Sequence, residues 1–268
     1  MGLPYRIAFF DVDHTLVDTG SGKIFESGVE AIRKLEEAGV IVCIATGRPK
    51  IHLSRIRSAV PHEYLVTCNG ACVLDGAGEV LYETPLFPED FRSLCDLAEQ
   101  KNLSVAFHFS DHTYVYYRYD VFSAYYDRFV FEGHAVLKDC PERDRHLQKR
   151  YPMPHDAVVL ENDEDVIPDF VAAHENLRLD RIRNHFYDVF RAGVSKASGI
   201  EKVLQREHLT WKDAIVFGDS TNDVEMLEKA GLGVAMGNGH EAAKAAADVV
   251  CRDIQEDGVA HMLREVFQ

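Results

Sequence analysis

The chain is 268 residues long and carries 44 acidic against 29 basic residues, a formal net charge of −15, with 46% apolar residues. That length suits one large domain or two modest ones, and aromatic and branched residues throughout exclude a predominantly disordered chain. The acidic balance argues against non-specific nucleic-acid binding, which needs clustered Lys and Arg, but leaves room for a phosphorylated small molecule held by a metal and a few placed cations.

In chain order, the apolar run Ile7–Phe10 predicts a strand, and Asp11 cuts it too short for a secretory signal. Val29, Ile32 and Leu35 mark one helix face, Gly39 stops that helix, and residues 40–45 predict the second strand. This second run is the longest clean apolar stretch, far short of the ~20 residues that cross a bilayer, so no membrane partner is expected. A helix over 51–59 ends before Pro61, and Tyr64–Thr67 predicts a third strand. Apolar strands without polar alternation, joined by helices, predict a parallel sheet covered on both faces.

The middle changes character after the hairpin signal Asp75-Gly76-Ala77-Gly78 and Thr84-Pro85. Runs 105–109 and 115–119 flank the turn Ser110-Asp111-His112 and predict two aromatic-rich strands. Segment 140–154 is charged, holds three prolines and reads as irregular surface. Runs 157–160 and 177–179 predict further strands around a helix after Asp163. The first pattern then returns: helix 195–205, strand 215–217, helix Val224–Lys229, strand 233–235, an Ala-rich helix after Gly239 and a short strand Val249–Val250. The expected organisation is a doubly wound α/β domain in two pieces, 1–83 and 188–268, with an α+β domain, 84–187, inserted between them. Six cysteines without a CxxC pair give no zinc site and read as buried thiols of a cytoplasmic protein.

Chemistry-bearing residues concentrate where strands end, the place where open parallel sheets bind ligands. Asp11 and Asp13 follow the first strand, with one residue between them. Asp residues in such a loop also make turns, so this pair alone decides nothing. Thr46 and Gly47, in Ala45-Thr46-Gly47-Arg48-Pro49, follow the second strand, where Thr46 would also serve as a helix cap. Lys196 opens a helix, where the macrodipole disfavours a cation. Asp219, Asn222 and Asp223 follow strand 215–217. Four gathered carboxylates repel one another unless compensated, which argues for a hard divalent cation with oxygen ligands, Mg²⁺ being the usual choice, alongside Lys196. Metal, hydroxyl, lysine and helix N-termini together describe a phosphoryl site.

On these residues the sequence resembles the haloacid dehalogenase (HAD) superfamily of phosphohydrolases, within it the Cof-type branch with a C2B-like α+β cap. The motifs fall in order: DVDHT at 11–15, ATGR at 45–48, Lys196 in GVSK, and GDSTND at 218–223. Cys68-Asn69-Gly70-Ala71, Val234-Ala235-Met236-Gly237-Asn238 and Glu256-Asp257-Gly258-Val259 are further Cof-like signatures. The resemblance covers about the first and last 80 residues and implies a Rossmann-like core. It implies that Asp11 is the nucleophile, forming an aspartyl-phosphate, and that Asp13 is the acid and base. It implies further that Mg²⁺ is held by Asp11, Asp13, Asp219 and Asp223, and that Thr46, Gly47, Lys196 and Asn222 hold the phosphoryl group. His14 departs from the Gly usual in this branch.

The resemblance also implies a cap that selects the leaving group. Phe107, His108, His112, Tyr114, Tyr116, Tyr117, Tyr125 and Tyr126 in that region, and His185 near its end, read as packing or surface groups and none is assigned to catalysis. The expected activity is Mg²⁺-dependent hydrolysis of small phosphate monoesters, such as sugar phosphates, pyridoxal phosphate or flavin-pathway intermediates, by a monomer or homodimer. A phosphomutase or phosphotransferase with the same core, or a non-catalytic phosphate-binding protein, is the alternative. A receiver domain is excluded by length and by Thr67-Cys68-Asn69 after the third strand, and a dehalogenase is disfavoured by Asp13.

Overall fold

In the computed structural model, which describes residues 4–126, 137–140, 153–161 and 165–267, the first apolar run forms strand β1 (Ile7–Phe10), buried along its whole length. Side chains alternate across a strand: Ala8 and Phe10 join one apolar cluster, Ile7 and Phe9 another. A strand apolar on both sides needs cover on both, which explains the missing polar alternation. A short antiparallel hairpin of β2 (Val17–Asp18) and β3 (Lys23–Ile24) leads into α1 (Glu26–Glu37) and β4 (Ile41–Ala45). α2 (Ser54–Ala59) precedes β5 (Tyr64–Thr67), and β6 (Cys72–Asp75) turns back antiparallel to β5 before β7 (Val80–Glu83).

The chain divides into two compact units, one formed by Met1–Tyr82 with Ser195–Gln268 and the other by Glu83–Val194. The inserted unit contains α3 (Pro88–Lys101), β8 (Ser104–His108), β9 (Thr113–Tyr117), α4 (Tyr119–Tyr126), β10 (Leu137–Asp139), β11 (Asp156–Leu160), α5 (Val166–Ala172), β12 (Leu177–Arg183) and β13 (Phe186–Arg191). Its sheet runs β10-β9-β8-β11-β13-β12. All its neighbours are antiparallel except β9 and β10. Phe91 and Leu94 of α3 and Ile167 of α5 pack with Phe107, Tyr116 and Val189 on one face, and Phe122 of α4 with Ala106 and Val158 on the other. The aromatic stripe is sheet packing, with Phe107 lying 4.6 Å from Phe91 and 5.0 Å from Tyr116 between ring centroids.

The second boundary lies at Val194 rather than 187. β13 is hydrogen-bonded on both sides, to β11 and to β12, so a cut at 187 would split a central strand. The strand expected at 115–119 lies at Thr113–Tyr117, because Arg118 turns left-handed at φ +52 and Tyr119 opens α4. Residues 141–152 of the segment read as irregular, Asp163 and the Tyr126 side chain lie outside the described residues.

The first unit resumes with α6 (Lys196–Arg206), β14 (Ala214–Gly218), α7 (Val224–Lys229), β15 (Leu232–Ala235), α8 (Glu241–Ala246), β16 (Val249–Val250) and α9 (Gly258–Phe267). Its sheet runs β16-β15-β14-β1-β4-β5-β6-β7, parallel from β16 through β5. Val29 and Ile32 of α1 and Met262 of α9 cover one face. Ala197, Ile200 and Val203 of α6 and Met226 of α7 cover the other. The first half of the chain builds the sheet outward from β1 on one side and the second half on the other, a doubly wound α/β fold whose strand order reverses beside β1. All six cysteines are free thiols, four of them buried. No helix among the described residues is long and apolar enough to cross a membrane.

Candidate active site

The carboxyl ends of β1, β4 and β14 carry the residues singled out by their spacing. The Asp11 N–H continues the ladder by donating to Phe217 O at 3.0 Å, so its buried side chain stands just beyond the last strand pair. Val12 drops into the apolar core and Asp13 rises again, which is how one intervening residue brings two carboxylates to one end of the sheet. The turn that follows is tight: the N–H groups of Leu16 and Val17 both donate to Val12 O, at 2.9 and 2.8 Å. His14 sits in this turn at φ +58, a left-handed conformation that glycine adopts without cost and histidine occasionally accepts. Its ring bonds Thr19 Oγ1 at 2.8 Å, and its carbonyl accepts from Asn238 at 2.8 Å.

Lys196 reaches the same place from α6. Ser195 caps that helix, its hydroxyl accepting the Ser198 N–H at 3.1 Å while Ser198 Oγ accepts the Ser195 N–H at 2.9 Å. The helix start is pressed against the turn after β5. A Cβ on Gly70 would lie 2.0 Å from Ser195 O, and one on Gly199 would lie 2.9 Å from Gly70 Cα. Only paired glycines allow this approach, and it delivers Lys196, 2% exposed, to the carboxyl end of β1. The Lys196 ammonium donates to Asp11 Oδ1 at 2.5 Å and Asp223 Oδ1 at 2.6 Å.

Asp223 organises the loop after β14. Its Oδ2 accepts the N–H groups of Asp219 and Ser220 at 2.8 and 2.9 Å, so both of its oxygens are engaged. Asp219 Oδ1 accepts from the Thr15 hydroxyl at 3.4 Å. Asp11, Asp219 and Asp223 each present an oxygen within 4.8 Å of the others, and all three are buried. Three buried carboxylates thus face one buried ammonium. The excess negative charge and the all-oxygen donor set fit a hard divalent cation. Burial chiefly, then the neighbouring carboxylates, raises the Asp11 and Asp219 pKa values, with Lys196 opposing both shifts. Burial pushes Lys196 down, but Asp11 and Asp223 outweigh it and hold the ammonium charged.

Asp13 has a different partner. Arg48 grips it in a two-pronged pair, Nε to Oδ2 at 3.0 Å and Nη2 to Oδ1 at 2.7 Å. Burial works to raise the Asp13 pKa, and this guanidinium reverses the shift and keeps it below the usual carboxylate range. Thr46 is fully buried and its hydroxyl accepts the Arg48 N–H at 3.1 Å. Asn222 Nδ2 donates to Asn69 Oδ1 at 2.9 Å, and the Asn69 N–H donates to Thr46 O at 3.1 Å. Asn69 therefore ties Thr46 to Asn222, and Gly47 lies against its amide. Arg48 and Asn69 were quoted in their motifs without a role. An arginine two residues after Thr46 and an Asn69-Gly70 pair after the third strand were the available signals.

The family model of haloacid dehalogenase-like hydrolases matches residues 8–263. A Bacillus subtilis 5-amino-6-(5-phospho-D-ribitylamino)uracil phosphatase is 29% identical over 280 residues, 98% of each chain. The Escherichia coli pyridoxal phosphate phosphatase is 26% identical over 281 residues, 96% of this chain and 97% of its own. A longer Streptococcus pyogenes protein, named as a bifunctional phosphatase and peptidyl-prolyl cis-trans isomerase, is 28% identical over 97% of this chain, which spans 54% of its length. Among solved structures, a HAD phosphatase from Bacteroides thetaiotaomicron aligns at TM-score 0.86 with 26% identity, over 98% of this chain and 95% of its own. A HAD subclass IIB sugar phosphatase aligns at 0.84 with 26% identity, over 97% and 98%. Strand-end carboxylates, a buried lysine and near-complete alignment lead to one conclusion: the chain belongs to the haloacid dehalogenase-like hydrolases, as a phosphatase acting on phosphate esters.

Proposed function

We propose that the protein hydrolyses small phosphate monoesters by a double displacement in which Asp11 is phosphorylated. The observation that carries this reading is the buried Asp11–Lys196–Asp223 arrangement, which would hold a carboxylate nucleophile beside a fixed cation at the carboxyl end of β1. The Asp11 carboxylate attacks phosphorus, and the leaving alkoxide takes a proton from Asp13, which carries that proton once the substrate draws it off the Arg48 pair that keeps it ionised in the free protein. Asp13 then removes a proton from water, which attacks the same phosphorus, releasing phosphate and freeing Asp11. Lys196, Thr46, Gly47 and Asn222 hold the phosphoryl oxygens. Asp11 and Asp219, with the Asp13 backbone carbonyl, would hold Mg²⁺, and Asp223 supports them through the loop it organises. Once bound, the cation neutralises charge on the transferring group.

Two relatives named as phosphatases of pyridoxal phosphate and of a phosphoribitylamino-uracil, and a similar fold named as a sugar phosphatase, support phosphorylated cofactors and sugars as the substrate class. A panel of such esters, assayed for released phosphate with Mg²⁺, tests this; equal rates across the panel would contradict a dedicated substrate. Asp11→Asn is expected to lower turnover at least ~10⁴-fold with the circular-dichroism spectrum unchanged. Substantial activity in that folded variant would overturn the nucleophile assignment.

A further inference from the structure

A second cluster of metal-ligating side chains lies within the inserted unit, and the phosphatase chemistry makes no use of it. Leu160 of β11 pairs with Phe186 of β13, and one step further the Glu161 N–H donates to His185 O at 2.8 Å. Glu161 and His185 are therefore opposed at the end of the sheet. The Glu161 side chain is fully buried. Its Oε1 accepts the Ile167 N–H at 2.5 Å, capping the first turn of α5. Its Oε2 has no hydrogen-bond partner among the described residues, and neither has His185 Nδ1, 3.9 Å away. Asp165, at the N-cap position of α5, does not cap the helix with its side chain. Its Oδ1 lies 3.6 Å from the same His185 Nδ1 and accepts from the Tyr187 hydroxyl at 2.5 Å.

We propose that Glu161, Asp165 and His185 form a second metal site, selective for a divalent transition cation such as Zn²⁺. An unpaired carboxylate oxygen in a buried position costs free energy unless something compensates it, and the neighbouring unpartnered imidazole nitrogen is a ligand atom in want of the same thing. The spacing suits a cation. Ligands at about 2.0–2.1 Å around tetrahedral Zn²⁺ lie about 3.3 Å apart, and the two measured edges exceed that by a few tenths of an ångström. One imidazole nitrogen and two carboxylate oxygens favour Zn²⁺, Co²⁺ or Mn²⁺ over Mg²⁺, whose preferred shell is all oxygen. Asp165 and His185 are partly exposed, which opens the fourth position to solvent. Arg181, whose Nη2 lies 3.6 Å from Asp165 Oδ1, is the cation that the metal must displace. Occupancy would fasten the end of β11, the start of α5 and the β12–β13 turn to one another.

The test is Zn²⁺ titration of the intact protein in saturating Mg²⁺ by calorimetry, with X-ray absorption at the zinc edge. One Zn²⁺ per chain with a nitrogen ligand is expected, because Asp11, Asp219 and Asp223 offer oxygen alone. His185→Gln and Asp165→Asn each weaken that binding at least tenfold while phosphate release in Mg²⁺ alone stays at the wild-type rate. Asp165→Asn keeps an acceptor for Tyr187, so it separates lost ligation from lost packing. Absence of a bound Zn²⁺, an all-oxygen shell, or equal affinity in both variants would overturn the site.

Discussion

Arg48 shows what a residue's neighbours add to its motif. Its two-pronged grip aims the Asp13 carboxylate, so under the acid–base role proposed for Asp13, Arg48→Gln is expected to lower kcat roughly 10–100-fold, with a smaller change in KM, because a reacting group displaced by about 1 Å loses that much rate. Steady-state kinetics on a fixed ester checks this. Lys196 is the only cation bonded to Asp11 and Asp223 among the described residues. Its replacement by Met leaves buried carboxylates unpaired and is expected to cost the metal-free protein roughly 3–5 kcal/mol in urea unfolding. The positions of the eight proposed site residues were legible because motif spacing announces them, seven at strand ends and Lys196 at a helix start. Arg48 and Asn69 were not, since their roles depend on the bonds to Asp13, Thr46 and Asn222 that tertiary folding creates. His14 holds a left-handed backbone at φ +58, which costs a non-glycine residue free energy, and its ring bonds Thr19.

At the scale of elements, the site depends on how closely α6 approaches the turn after β5. A methyl group on Gly199 would meet Val66 Cγ1 at 2.5 Å and Gly70 Cα at 2.9 Å. Gly199→Ala must therefore push the helix start outward and shift Lys196. A loss of about 1–3 kcal/mol is expected from overpacking, with a fall in kcat, and thermal unfolding with kinetics on the same sample measures both. The parallel strands of the first unit were readable because burial on both faces leaves unbroken apolar runs such as Ile7–Phe10. In the inserted unit, β13 was missed because Asp188 interrupts its apolar run between the buried Tyr187 and Val189. β12 and β13 meet through a two-residue turn with His185 at φ +58, where the usual Gly signal is absent.

For the whole molecule, the −15 net charge separates into surface charge and a small buried group with a purpose. Three inward carboxylates against one lysine make the metal-free site electrostatically strained. Chelation by EDTA is expected to abolish turnover and lower the melting temperature, and Mg²⁺ at a hundred times its Kd restores about 2.7 kcal/mol of stability. Differential scanning fluorimetry with and without Mg²⁺ reads that linkage. The central claim is that phosphate leaves by two displacements at phosphorus, the first by Asp11. Hydrolysis in ¹⁷O-labelled water of a phosphorothioate ester whose phosphorus bears sulfur, ¹⁶O and ¹⁸O tests it most directly. Two displacements predict retained configuration in the released thiophosphate, whereas inversion would mean that water attacks the substrate in a single step and that Asp11 is never phosphorylated.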